Sequence, residues 1–446
     1  MFKVRILLYW IKIKLFRRFT SRTRLEHHQQ VQLANFTRCT LTRSAFYESL
    51  ISNNKLDVTK VPIMTKQAFM DNFDAINTVG LTLKSAMDIA IGAEFSRNFS
   101  SDIDGITVGL STGTSGQRGI FLASEKERAI WTSLVMSKVI KPRLLRKQKI
   151  AFFLRANSNL YSSVASSLFE FRYFDIFQPI ELLLEQITSY QPDIVAAQPS
   201  ILIEIAKACA KGHINIGPHQ IISFAEVLHD SDRRYIQKHI KAPITEVYQC
   251  TEGFLGVSCQ HGTIHINEEF MIMEKAPIDS LRFNPIITDF TRTTQPVVRY
   301  KLDDVLVSRS TPCPCGSVLM GIERIEGRDD DVLVFGDKRL YPDLLARRIA
   351  VSSEQFFRYQ IIQSTENLLS VHIDVSEEQK EMLEQLMKNT ILQLLNEQNI
   401  NGINIQFMGN VLHTQGTKFR KIKNRYNDYK DSSYRKVHAG KKGYFG

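Results

Sequence analysis

The chain has 446 residues, of which 43% are hydrophobic, and a formal net charge of +11. This length predicts two or three domains with a large core, and the composition excludes low-complexity and internally repeated proteins. Six widely spread cysteines without a signal peptide argue against a disulfide framework and favour a cytoplasmic protein.

The positive charge is concentrated in two segments, Lys3 to Arg24 and Lys418 to Lys442. Such segments suit nucleic acid, an anionic membrane or anionic substrates. We interpret the second segment as solvated surface and expect no nucleic-acid partner.

Residues 1–19 combine apolar and basic side chains. The apolar run Ile6 to Ile11 is too short to span a bilayer, and no small-residue cleavage site follows it. On a helix, one face would carry Phe2, Ile6, Tyr9, Ile13 and Phe16. This pattern suits a helix on a membrane surface and equally a helix packed onto the protein. Peripheral membrane contact through residues 1–19 and a homodimer both stay open.

Residues 20–95 are predicted to be mainly helical, with a helix capped by Thr65. A strand is predicted at Ile106 to Leu110, and a helix at residues 124–139 with Ser124 as N-cap and Glu127 three residues later. Apolar runs and helical patterns then alternate to residue 250. This rhythm predicts an α/β fold with parallel strands buried on both faces. The strands are predicted at 149–154, 193–197, 220–224 and 244–248, and the helices at 199–211 and 230–239.

The pattern changes after residue 264 to short strands separated by turns, which predicts an antiparallel β subdomain up to residue 326. Residues 332–446 are predicted to form a small mobile α+β domain, with a hairpin about Gly336-Asp337 and a long helix at 376–398. The charged segment 327–331 after a glycine is interpreted as a hinge. The predicted large domain is therefore 1–326, with 1–95 as its helical part.

The loop after the first predicted strand contains little except glycine and hydroxyl residues. It comprises Ser111, Thr112, Gly113, Thr114, Ser115, Gly116, Gln117 and Arg118. Glycines and hydroxyls let backbone N–H groups approach an anion closely, so the loop predicts a phosphate site. It does not match the Walker pattern.

Five segments, taken in order, resemble the adenylate-forming enzymes, and most closely the phenylacetate–coenzyme A ligase branch. The resemblance covers most of the chain from about residue 100. The matching segments are STGTSGQRG from Ser111, YQCTE from Tyr248, VRYKLDD from Val298, GRDDD from Gly327 and GTKFR from Gly416.

The resemblance implies that ATP and a carboxylic acid form an acyl-adenylate and pyrophosphate, before the acyl group passes to coenzyme A. It implies ATP or AMP contacts from Ser111 to Gly116, Arg118, Ala225, Glu226, Tyr248, Asp304 and Arg328. Thr251 would contact the α-phosphate and Glu252 would hold Mg²⁺. Lys418 would serve adenylation, with Lys421 as the neighbouring candidate, and Asp330 would be the hinge pivot.

The chain departs from the family pattern at three places. Gln117-Arg118 replaces a common Pro-Lys, Thr417 separates Gly416 from Lys418, and the segment before Glu226 lacks the usual glycines. The branch implies an aryl or arylacetic acid as the substrate. The alternative is a fatty or hydroxy acid that passes to a carrier-protein thiol or an amine. A non-catalytic, membrane-associated scaffold with the same fold is a further alternative.

Two cysteines in a tight turn, Cys313 and Cys315, follow Cys259, His261 and His265 by some fifty residues. Three thiolates and one imidazole would close a tetrahedral zinc site. The favoured set is Cys259, His265, Cys313 and Cys315, with His261 as a substitute, and such a zinc would be structural because no coordination position stays open.

Overall fold

The structure is a computed structural model that describes most of the chain. The described residues are 2–16, 19–51, 57, 60–96, 102–110, 119–141, 147–154, 165–166, 168–353, 356, 358–411 and 419–426. The chain divides into two compact units. Unit 1 comprises Met1–Glu226, Tyr235–Leu302 and Leu306–Arg324, and unit 2 comprises Val227–Arg234, Asp303–Val305 and Ile325–Gly446.

The described residues between 2 and 96 are mainly helical, as predicted for residues 20–95. The helices are α1 (Phe2–Phe16), α2 (Arg22–Cys39), α3 (Ala45–Glu48), α4 (Lys66–Asp71), α5 (Phe73–Ile76) and α6 (Leu83–Ser96). The predicted cap on α4 is confirmed, because the Thr65 hydroxyl accepts a hydrogen bond from the Ala68 N–H at 3.2 Å. Within the described residues, no helix is both long and apolar enough to cross a bilayer.

The strands on either side of the predicted phosphate loop in the sequence belong to a small antiparallel sheet. Its strands are β1 (Asp102–Ile103), β2 (Ile106–Leu110) and β3 (Ile120–Ala123). The segment between β2 and β3 therefore joins two antiparallel strands. The second of these strands, β3, was not predicted. Helix α7 (Glu125–Leu134) follows β3, with the predicted capping box between Ser124 and Glu127, and it continues as a π-helix over Val135–Val139.

Unit 1 contains a parallel sheet in the order β5-β4-β6-β7-β8. Its strands are β4 (Gln148–Leu154), β5 (Phe169–Asp175), β6 (Ile194–Ala197), β7 (Gln220–Phe224) and β8 (Ile244–Gln249). The connecting helices are α8 (Ile180–Tyr190), α9 (Pro199–Ala210) and α10 (Asp230–Ile240). All four residues of β6 are buried, as expected for a strand covered on both faces. The predicted α/β alternation is confirmed, although β5 and α8 were not predicted.

Antiparallel strands continue this sheet, in agreement with the antiparallel subdomain predicted after residue 264. They are β9 (Phe254–Ser258), β10 (Ile264–Ile266), β11 (Met271–Pro277), β12 (Arg282–Asp289), β13 (Val297–Lys301), β14 (Asp304–Ser308) and β15 (Gly321–Arg328). Strand β9 pairs antiparallel with β8, and β10 pairs with both β9 and β15. The change of strand direction thus occurs at the β8–β9 turn.

Unit 2 is a small α+β body. The predicted hairpin is confirmed as β16 (Leu333–Phe335) and β17 (Lys338–Leu340). A sheet in the order β20-β19-β18-β21 contains β18 (Tyr359–Thr365), β19 (Leu368–Ile373), β20 (Asn404–Phe407) and β21 (Ile422–Asn424). Helices α11 (Pro342–Ser352) and α12 (Lys380–Glu397) bury apolar faces in the same core. Strand β21 was not predicted.

Candidate active site and metal centre

The carboxyl ends of β7 and β8 lie side by side in unit 1. Phe224 is the parallel partner of Val247, so the residues that follow both strands leave the sheet at the same edge. Ligands of open α/β sheets bind at this edge. Two of the predicted nucleotide segments, Ala225-Glu226 and Thr251-Glu252, begin here.

Glu226 is fixed at the start of α9. Its carboxylate accepts hydrogen bonds from the Ser200 N–H and from the Ser200 hydroxyl, both at 3.1 Å. A carboxylate at a helix N-terminus is favoured by the free N–H groups and the helix dipole. This contact fixes the path of the backbone just after β7.

Ala225 occupies the left-handed region, with a φ of 69°. An L-residue pays about 1–2 kcal/mol for this conformation, which glycine adopts freely. The missing glycine noted in the sequence therefore leaves strain at the turn that precedes Glu226.

Ala225→Gly should stabilise unit 1 by about 0.5–1 kcal/mol, because relief of strain exceeds the added chain entropy of glycine. Urea unfolding measures the difference. The matched control is Ala276→Gly in the extended strand β11, which should destabilise by a similar amount. A loss of stability in both variants would contradict the strain at Ala225.

Thr251 and Glu252 lie in the tight turn between β8 and β9. The Cys250 N–H donates to the Gly253 carbonyl at 3.1 Å, which closes the turn, and both Thr251 and Glu252 are partly exposed. A Cβ added to Gly253 would lie 2.7 Å from the Asp289 carboxylate. Glycine is thus required because the turn rests directly on a buried carboxylate.

Asp289, at the end of β12, is that buried carboxylate. It accepts hydrogen bonds from the Thr291 N–H and hydroxyl, each at 2.7 Å. Burial raises its pKa to about 6, although the hydrogen bonds from Thr291 oppose the rise. Sequence patterns did not indicate this residue, because an aspartate followed by threonines is common in turns.

Asp289→Asn should remove a pH-dependent loss of stability. A pKa raised from 3.8 to about 6 means that the folded state binds the proton more tightly, so this group's stabilisation is present at low pH and is lost as pH rises from about 4 to 6. The variant should therefore gain about 2–3 kcal/mol over wild type between pH 4 and pH 7. Urea unfolding across that range measures the difference, and a pH-independent difference would contradict the buried ionisation.

A second group of candidate residues lies in unit 2 around Arg328. Its guanidinium contacts Asp303 at 3.0 Å and Asp330 at 3.1 Å, and the Asp329 N–H donates to the Asp303 carbonyl at 2.7 Å. Burial lowers the pKa of Arg328, but nearby carboxylates raise it above the ordinary value. These carboxylates are Asp330, Asp304, Asp303 and Asp331. The cluster gathers carboxylate acceptors around one fixed cation.

The predicted hinge segment has a second cation. Arg420 pairs with Asp331 at 2.6 Å and lies 3.8 Å from Asp330. Burial raises the pKa of Asp331 to about 6, while Arg420 counteracts the rise. The carboxylates of the segment are thus bound to arginines that lie before and after them in the chain. The role of Asp330 as a pivot stays a prediction.

Lys421 forms a buried ion pair within unit 2. Its ammonium lies 2.9 Å from both carboxylate oxygens of Asp232 and 5.4 Å from the centre of the Tyr359 ring. The two charged side chains are 9% and 2% exposed. Lys421 is therefore committed to a structural contact, which the sequence could not indicate because Asp232 is 189 residues away.

Four metal-ligating residues converge in unit 1. The ligand atoms of Cys259, His265, Cys313 and Cys315 all lie within 4.8 Å of one another. The Cys259 and Cys313 sulfurs are 3.6 Å apart, and the Cys315 sulfur is 3.2 Å from His265 Nε2. Sulfurs at 2.3 Å from a tetrahedral metal are about 3.8 Å apart, so the spacing fits.

The other ring nitrogen of His265 is also held. Its Nδ1 lies 3.2 Å from the Leu319 carbonyl, which orients the ring with Nε2 towards the sulfurs. His261 contributes its backbone N–H to the Cys259 sulfur at 3.3 Å, and its ring is outside the group of four. The structure thus brings together the favoured predicted set.

Aromatic side chains lie beside the carboxyl end of β7. Phe152 stacks on Phe224, with ring centres 5.2 Å apart and an angle of 9°, and it also contacts Phe171. Phe254 belongs to the same buried cluster. An apolar wall therefore adjoins the turn that carries Ala225 and Glu226.

Two of the predicted elements lie outside the described residues. They are the phosphate loop, Ser111 to Arg118, and the lysine Lys418. Tyr248 and Asp304 are described: Tyr248 is buried in β8, and Asp304 begins β14.

No family model matches the chain. Protein CapK of Staphylococcus aureus is 22% identical over 397 residues, covering 82% of each chain. Phenylacetate–coenzyme A ligase of Thermus thermophilus is 22% identical over 212 residues, which cover 43% of this chain and 47% of the ligase. These sequence relationships are distant.

Similarity to solved structures extends over nearly the whole chain. The crystal structure of 2-hydroxyisobutyryl-CoA ligase in the postadenylation state, in complex with R3-HIB-AMP, gives a TM-score of 0.67 at 14% identity. The match covers 92% of this chain and 90% of the ligase. The chain therefore has the adenylate-forming ligase fold, which confirms the predicted fold class.

Proposed function

We propose that the protein activates a carboxylic acid with ATP, forms an acyl-adenylate and releases pyrophosphate. The observation that carries the proposal is the convergence of the Ala225-Glu226 turn and the Thr251-Glu252 turn at one edge of the sheet. The solved 2-hydroxyisobutyryl-CoA ligase, which has the same fold, was crystallised in the postadenylation state in complex with R3-HIB-AMP. The proposal extends that chemistry to this chain.

Adenylation joins two anions, so it needs cations and N–H donors where negative charge grows. We assign the phosphates to Ser111–Gly116 and Arg118, the α-phosphate to Thr251, and Mg²⁺ to Glu252. A partly exposed carboxylate in a turn suits Mg²⁺, which keeps several waters and takes few protein ligands. Bound Mg²⁺ would supply charge neutralisation for the phosphates.

The remaining nucleotide contacts follow from the strand ends and from the arginine cluster. Ala225, Glu226 and Tyr248 are assigned to the adenine. Asp304 is assigned to the ribose hydroxyls, for which a carboxylate is a suitable acceptor, and Arg328 supports it. The Asp304 carboxylate is close enough to Arg328 to help raise the pKa of that guanidinium.

Lys418 is the proposed cation of the adenylation step. The neighbouring candidate Lys421 is buried and bound to Asp232 through both carboxylate oxygens, which supports this choice. A lysine on a flexible four-carbon stem can contact the acid and the α-phosphate in one arrangement and leave in another.

We propose an apolar acid of aryl or arylacetic type as the substrate and coenzyme A as the acceptor. The stacked pair Phe152 and Phe224 beside the adenine segment supports an aromatic or other apolar acyl group. The acceptor is supported by the names of the relatives, two of which are coenzyme A ligases. A fatty or hydroxy acid passed to a carrier protein or amine is the alternative that the assay must separate.

We also propose that Cys259, His265, Cys313 and Cys315 hold a structural zinc ion. Three sulfurs and an imidazole are the ligands that Zn²⁺ prefers, and a Cys₃His site leaves no open position for catalysis. The site would fix the β9–β10 turn to the segment before β15.

The test measures thioester formation. Purified protein is incubated with ATP, Mg²⁺, an acid panel and coenzyme A, and the products are identified by mass spectrometry. AMP and an acyl-CoA should form with one class of acid, and Glu252→Gln should reduce the rate by about 10²–10³-fold. Adenylate that forms but is not transferred to coenzyme A would contradict the acceptor assignment.

A further inference from the structure

Helix α1 carries two apolar faces. One face packs onto unit 1: Ile6 and Ile13 are 8% and 7% exposed, and the Ser133 hydroxyl donates to the Ile6 carbonyl at 2.9 Å. Lys14 donates to the Ser137 carbonyl at 2.7 Å. The helix is therefore anchored through one side.

The opposite face is apolar and exposed. Its side chains, here called the exposed stripe, are Val4 (60% exposed), Leu7 (54%), Leu8 (61%), Ile11 (37%) and Leu15 (67%). At 3.6 residues per turn these positions fall within an arc of about 100°. Isolated exposed leucines are common, but five aligned on one helix form a contiguous apolar surface.

Basic residues border the exposed stripe on both sides. On the same helical wheel, Lys3 and Lys14 lie along one edge, and Arg5 and Lys12 lie along the other. Helix α1 contains these four cations and no acidic residue, and Arg5 forms an ion pair with Glu125 of α7 at 3.0 Å. An apolar stripe between two basic rows is the arrangement of a helix that lies in the interface of an anionic membrane.

We propose that the exposed stripe of α1 docks the protein onto an anionic lipid bilayer, with the helix axis parallel to the membrane plane. The leucines would enter the boundary between headgroups and acyl chains, while Lys3 and Lys12 contact lipid phosphates. Stripe-to-stripe pairing with a second copy is disfavoured, because it would bring Lys3 and Lys12 of both copies together. This proposal stands independently of the catalytic one, since it rests on α1 alone.

The first measurement is co-sedimentation of the full chain with vesicles. The protein should sediment with phosphatidylcholine vesicles containing 30% phosphatidylglycerol and much less with pure phosphatidylcholine. Leu7→Gln/Leu8→Gln/Leu15→Gln should lower the partition coefficient at least tenfold, because glutamine keeps the helix and the charge but loses the apolar area. Lys3→Gln/Lys12→Gln should lower it roughly tenfold and weaken its salt dependence.

The matched control makes the same kind of change at exposed apolar positions away from α1. Leu182, Leu281 and Met382 are 40%, 51% and 60% exposed, so Leu182→Gln/Leu281→Gln/Met382→Gln should bind vesicles like wild type. Thermal unfolding checks that each variant is folded.

Tryptophan emission gives an independent readout. The chain has two tryptophans, Trp10 on α1 and Trp131 on α7, so Trp131→Phe leaves Trp10 as the only reporter. Its emission should shift to shorter wavelength with anionic vesicles. Equal vesicle binding by wild type and the leucine variant would overturn the proposal. So would a dimer that dissociates in that variant without any vesicle binding, which would assign the stripe to a second copy.

Discussion

Lys418→Ala is expected to slow acid-dependent adenylation by about 10²–10³-fold while leaving the stability of the protein unchanged. The lysine is proposed to neutralise charge that grows between the carboxylate and the α-phosphate. Transfer from a supplied acyl-adenylate to coenzyme A should be far less affected, because that step no longer joins two anions. Single-turnover formation of the adenylate and of the thioester separates the two effects.

The neighbouring lysine provides the contrasting variant. Lys421→Ala leaves the carboxylate of Asp232 buried without its cation, which should cost about 3–5 kcal/mol of folding free energy. The paired change Asp232→Asn/Lys421→Gln should recover part of this loss because no charge is left buried. Adenylation that survives in Lys418→Ala but fails in a folded Asp232→Asn/Lys421→Gln protein would transfer the catalytic role to Lys421.

Loss of the four-residue Cys/His group is expected to remove a large part of the folding free energy. Purified protein should contain one zinc per chain, and Cys313→Ser should lose it and roughly 3 kcal/mol or more of folding free energy. Cys313 is buried, and it lies in the segment before β15 that the ion would join to the β9–β10 turn. Elemental analysis and urea unfolding measure both changes.

The matched control for this prediction is Cys39→Ser, the same chemical change at an exposed cysteine. It should keep the zinc and the stability of wild type. Chelator treatment should speed hydrogen exchange at residues 259–265 and 313–320 before it affects the parallel sheet. A wild-type protein without zinc, or with equal zinc content in Cys313→Ser, would contradict the assignment.

Local patterns were sufficient to predict most of the fold. Apolar runs placed β4, β6 and β7 to within one residue at each boundary, because fully buried strands need continuous apolar side chains. Strand β8 was placed equally closely, although only two of its six residues are buried. The capping box at Ser124 and Glu127 is likewise a local arrangement that spacing reveals. Strand β3 is short and follows a glycine-rich segment. Strand β21 is short, partly polar and lies among basic residues. No hydrophobic period therefore marks either strand.

Long-range contacts account for what the sequence could not supply. Asp289 beneath Gly253, Asp303 beside Arg328 and Asp232 beside Lys421 each join residues far apart in the chain. Aspartates of this kind look like ordinary surface residues until the fold gives them a partner. Likewise, the spacing of the cysteines suggested ligands, whereas only the fold shows that Cys259 and His265 reach Cys313 and Cys315.

The proposed activation of a carboxylic acid is tested most directly by acid-dependent exchange of labelled pyrophosphate into ATP, without coenzyme A. The panel contains aryl, arylacetic, hydroxy and fatty acids at saturating ATP and Mg²⁺. Exchange with one class of acid, and none without acid, is the predicted result. A protein that neither binds ATP nor exchanges pyrophosphate with any of these acids would contradict the enzymatic role and favour a scaffold with the ligase fold.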